Sequence, residues 1–72
     1  MVNTLYLDDK IQESGLKKSF IADNCGITYQ TFSNKVNGKS EFTASEIKVI
    51  TKLLGLNAKA MKDIFFAENV ET

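Results

Sequence analysis

The sequence predicts an all-α protein, a compact five-helix bundle. Three observations carry this. Gly15, Gly26, Gly38 and Gly55 each follow a segment of helix length, where a left-handed residue is tolerated best by glycine. Each expected start carries an apolar residue, a cap position and a second apolar residue five places after the first, the spacing of a hydrophobic staple. No segment shows the strict alternation of a strand, and the chain has no proline.

Helix 1 is expected from Thr4 to Ser14, capped by Asn3, stapled by Val2 and Leu7, with Leu7 and Ile11 facing inward. Helix 2, Lys18 to Cys25, has Leu16 and Ile21 as its staple and Ile21 with Cys25 as its apolar face. Lys17 occupies its cap position and has no oxygen to accept an orphan amide, so this start is the weakest. Helix 3, Thr28 to Asn37, follows Ile27 and Thr28 and buries Phe32 and Val36. Helix 4, Ala44 to Leu54, begins with Phe42 and Thr43, and Glu46 completes a capping box. Its apolar face is Ile47, Ile50 and Leu54. Helix 5 runs from Ala58 to about Ala67 behind Leu56 and Asn57, burying Met61, Ile64 and Phe65. Phe65 and Phe66 are consecutive and so cannot face the same way on a helix, which predicts one ring at the surface. Residues after Glu68 are expected to fray.

A chain of 72 residues makes one domain, here 1–72, that buries about 60% of its unfolded surface. At 43% hydrophobic residues it is too apolar to remain disordered. The single Cys25 has no partner for an internal disulfide, and no apolar run reaches signal or membrane-spanning length, which points to the cytoplasm. An enzyme is not expected: there is no histidine, Cys25 lies on a buried face, and Asp8 and Asp9 point to different sides of helix 1. Neither clustered metal ligands nor a calcium loop occurs, so no metal and no cofactor are implied.

The stretch FIADNCGITYQTFSNKVNG, Phe20 to Gly38, resembles the helix-turn-helix of the Cro and CI (XRE) repressor superfamily, formed here by helices 2 and 3. Ala22 matches the small residue where the two helices cross, Gly26 the turn glycine, and Ile27 and Phe32 buried positions. Downstream, SEFTASEIKVITKLLGL resembles the fourth helix of small phage regulators, so the likeness covers roughly residues 5 to 66 and implies a lambda-repressor-like DNA-binding fold. Two positions depart from the pattern. Lys17 and Lys18 replace the Thr-Gln pair that commonly opens helix 2, removing an amide clamp on phosphate. Lys35 and Val36 stand where an apolar residue and Glu are common, which shifts the buried position by one and predicts a slightly rotated helix 3.

At ~100° per residue from Phe32, Tyr29 and Val36 lie within about 60° of the buried direction, while Gln30, Ser33, Asn34 and Asn37 span the opposite side. The amides of Gln30 and Asn34 could pair with adenine and Ser33 with several bases, with Lys18, Lys35 and Lys39 at phosphates. A plain solvated face has the same composition. Tyr29 is either a half-buried ring with a wet hydroxyl or an anchor for a protein partner.

Charge bears on that choice. The nine lysines are balanced by nine acids. Residues 15–40 hold Lys17, Lys18, Lys35 and Lys39 against Asp23, a net +3, and the remainder is net −3. Four lysines give a monomer a log-log salt slope of only about −3 to −4. All nine cations are lysines, so the planar fork that best reads guanine and clamps phosphate is missing. DNA binding is therefore expected to be weak or assisted.

From MVNTLYLDDKIQESGLKKSF to IFFAENVET, the chain is similar to the modulator-of-repression (MOR) antirepressors of temperate phages of lactic acid bacteria. This resemblance implies a protein of the bacterial host's cytoplasm that binds the phage CI repressor, at its N-terminal DNA-binding domain, and blocks or redirects its operator binding to favour lytic growth. The partner surface is then expected at Tyr29, Gln30, Ser33, Asn34 and Lys35, with no membrane and no small-molecule substrate. The alternative is a Cro-type repressor that binds operator DNA directly through Lys18, Gln30, Ser33, Asn34, Lys35 and Lys39.

Overall fold

The computed structural model describes residues 2–66, and among them every regular element is an α-helix. The order is α1 (Thr4–Ser14), α2 (Lys18–Cys25), α3 (Tyr29–Val36), α4 (Ala44–Leu54) and α5 (Ala58–Phe65). The bounds of three helices equal those expected. Helix α3 is shorter at both ends, because Thr28 and Asn37 are its caps. Helix α5 stops at Phe65 with Phe66 as its cap, two residues before the expected end. The expected fraying after Glu68 lies outside the described residues.

Local chemistry accounts for the starts. Asn3, Thr28, Thr43 and Asn57 each accept a backbone amide three residues on, from Tyr6, Thr31, Glu46 and Ala60. Lys17 makes no side-chain cap bond. Thr43 and Glu46 form the reciprocal box. The N-terminus is further held by the Asn3 N–H, which donates to the Ile64 carbonyl at 2.7 Å and ties the start of α1 to α5. At the α2–α3 turn, Gly26 has φ +74°, a conformation in which a side chain is strained even though open space surrounds it.

One core draws on all five helices. Leu7, Ile11, Ile21, Ala22, Phe32, Val36, Ile50, Ile64 and Phe65 are buried in it. Phe42, in the α3–α4 connection, meets Phe32 edge-on at 6.1 Å and Phe65 at 5.4 Å, linking α3 to α5 through aromatic contacts. As the spacing requires, Phe65 is buried and Phe66 is 55% exposed. Cys25, Ile47, Leu54 and Met61 were expected on buried faces but are only partly buried at the margin of the core. Two of them, Ile47 and Met61, line a surface groove with Phe66.

Candidate functional site

Helices α2 and α3 pack against each other, and α1 packs on α3 while α4 packs on α2. Phe32 and Val36 turn one side of α3 into the core, which leaves Tyr29 and Gln30 exposed at its first turn. Tyr29 is 52% exposed despite lying about 60° from Phe32. Its ring thus offers apolar area to a partner as well as a hydroxyl.

Gln30 Nε2 donates to Asn34 Oδ1 at 3.2 Å, so the two amides hold each other along the outer side of α3. Such a pair at i, i+4 is readable from spacing alone. Ser33 and Asn34 are half-buried and Lys39 is exposed beyond the helix. Tyr29, Gln30, Ser33 and Asn34 therefore share the outer part of one short helix.

Lys18 and Lys35 are placed differently. Lys18 Nζ lies 3.2 Å from Asp8 Oδ1 of α1. Lys35 Nζ lies 2.6 Å from Glu46 Oε1 of α4, with the two side chains only 11% and 9% exposed. Lys35 is thus directed toward α4 rather than toward solvent. In the net charge over residues 15–40, both lysines are compensated from outside that segment, by Asp8 and Glu46. Lys17 and Lys39 remain against Asp23.

Burial pushes the Glu46 carboxyl up, but the Lys35 hydrogen bond and the Thr43 amide outweigh it and hold the group below the usual carboxylate range. Burial, then the Glu46 charge, push the neighbouring Cys25 thiol up, against a smaller opposing effect of Lys35. Cys25 is thus less reactive than a solvated thiol.

The sequence reading missed Phe20, an α2 ring that is 47% exposed. Its signal was present, since Phe20 sits beside Ile21 and consecutive helical residues cannot share a face. Glu46 was recognised only as a cap, and its bond to Lys35 across eleven residues has no local signature. No family model, curated protein or solved structure matches the chain. Among the described residues no helix is long and apolar enough to cross a membrane, and no cluster of three metal-binding side chains occurs.

Proposed function

We propose that this protein is an antirepressor of a phage genetic switch, which binds the CI repressor at its N-terminal DNA-binding domain and blocks or redirects its operator binding, favouring lytic growth. In this reading α2 and α3 form a helix-turn-helix of the Cro and CI kind, used against a protein instead of a DNA groove. The observation that carries it is the pairing of Lys18 and Lys35 with Asp8 and Glu46 beside an exposed Tyr29. Counterion release needs cations available to phosphates, and here the compensated pair leaves few, whereas a half-exposed tyrosine is a common anchor at protein interfaces.

Tyr29, Gln30, Ser33 and Asn34 are the contact residues of this mechanism. Lys35 supports them from within by fastening α3 to α4. Occupying the repressor's DNA-reading surface makes operator and antirepressor compete, and no cofactor is needed.

Gel shift of a labelled operator at about 0.15 M salt, where non-specific electrostatic binding is damped, tests the mechanism. This protein alone is expected to leave the operator unshifted, and its addition to the CI–operator complex to release or remodel that complex. Tight, specific binding by this protein alone, with no effect on CI, would replace the proposal with the Cro-type reading.

A further inference from the structure

Helices α4 and α5 enclose an open groove of about 330 Å³ lined by Ala44, Ile47, Lys48, Thr51, Met61 and Phe66. Its walls are mostly apolar, and Lys48 is among the residues that line it. The charges between Ala44 and Phe66 that have no ion-pair partner among the described residues have one sign. Between Ala44 and Phe66 the acidic residues are Glu46 and Asp63, and each is already bound to a lysine, Lys35 and Lys59. Lys48, Lys52 and Lys62 have no carboxylate in ion-pair contact among the described residues. Lys48 and Lys52 are one turn apart on α4, and Lys62 lies one turn before Phe66.

We propose that this groove is a second docking surface, which receives an acidic amphipathic helix of a partner protein. Apolar side chains of that helix enter the slot beside Ile47, Met61 and Phe66, and carboxylates one turn apart on its flank meet Lys48 and Lys52. A second copy of this chain does not fit. Two-fold pairing through this face would set lysine rows against each other. The slot is concave, a shape that takes side chains from a helix and does not suit a flat bilayer. This surface is separate from α3 and does not rest on the antirepressor reading.

The test titrates the full chain, with labelled methionine and isoleucine methyls, with a helical peptide of roughly 18 residues carrying Leu at i, i+3, i+4 and i+7 and Glu on the flanks. The same peptide with Lys for Glu is the comparison. Saturable shifts of the Met61 and Ile47 methyls are expected, with affinity for the Glu peptide roughly tenfold higher and weakened by salt. The double variant K48E/K52E is expected to invert the preference, and Tyr29→Ala to leave it intact. Absence of saturable methyl shifts, equal affinity for both peptides, or the same methyls responding instead to phosphatidylglycerol vesicles or to self-association would overturn the proposal.

Discussion

Lys35 Nζ lies 2.6 Å from Glu46 Oε1, and that same oxygen accepts the Thr43 backbone N–H at 2.9 Å. One carboxylate thus caps α4 and anchors α3 to it. Glu46→Ala removes the cap and strands a largely buried ammonium, so it is expected to cost about 3 kcal/mol in urea unfolding. The double variant Lys35→Met/Glu46→Gln removes both charges and keeps an acceptor for Thr43. It should recover most of that loss; equal destabilisation of the two variants would show that charge pairing is not the reason.

The same pair sets an acid limit. Because the Glu46 carboxyl titrates below its usual range in the folded protein, it favours folding above its unfolded value of about 4.3, and that contribution is lost as pH falls through the lower folded value. Urea midpoints measured at descending pH should therefore fall below about pH 4.5. Glu46→Gln should flatten the decline, and parallel curves for the two proteins would contradict this assignment.

Phe42 and Phe66 provide opposite expectations for one substitution. Phe42 is buried between two rings, so Phe42→Ala is expected to cost about 4 kcal/mol, most of the stability of a domain this small. Phe66 is mostly in solvent, and Phe66→Ala should stay within about 0.5 kcal/mol. Thermal unfolding of both variants by circular dichroism checks the contrast.

Thr51→Val replaces a buried hydroxyl that has no hydrogen-bond partner among the described residues with a methyl of nearly the same shape. Helix propensities of the two residues are close, so the variant is expected to gain about 1 kcal/mol, or roughly 5 °C in Tm. A lowered Tm would mean that the hydroxyl is bonded in solution.

Tyr29→Ala addresses the α3 surface. With the ring half exposed the fold should be unaffected, while affinity for the CI DNA-binding domain is expected to fall by about 2 kcal/mol, roughly thirtyfold in Kd. Calorimetric titration of the folded variant decides it, and an unchanged Kd would remove Tyr29 from the contact surface.

Much of the fold was legible because its determinants are local. Asn3, Thr28, Thr43 and Asn57 act within three residues, and the four glycines of positive φ act at single positions. A 3.6-residue period likewise told Leu7, Ile11, Phe32, Val36 and Ile64 apart from the surface. Within the candidate site, the outer placement of Gln30 follows from the same period, whereas the exposure of the Tyr29 ring does not, since the period sets it only about 60° from Phe32.

By itself, then, the sequence determined the five helices, their caps and the residues able to form a core, since each depends on neighbours along the chain. Only the tertiary structure decided which charges are paired and which apolar faces stay open. Lys18 and Lys35 look like solvent-facing cations until α1 and α4 bring Asp8 and Glu46 to them. Ile47 and Met61 look like core until the spacing of α4 and α5 leaves a slot between them. Both outcomes depend on distances between segments far apart in sequence, where no periodicity reaches and where Coulomb and packing energies are settled by how the helices meet.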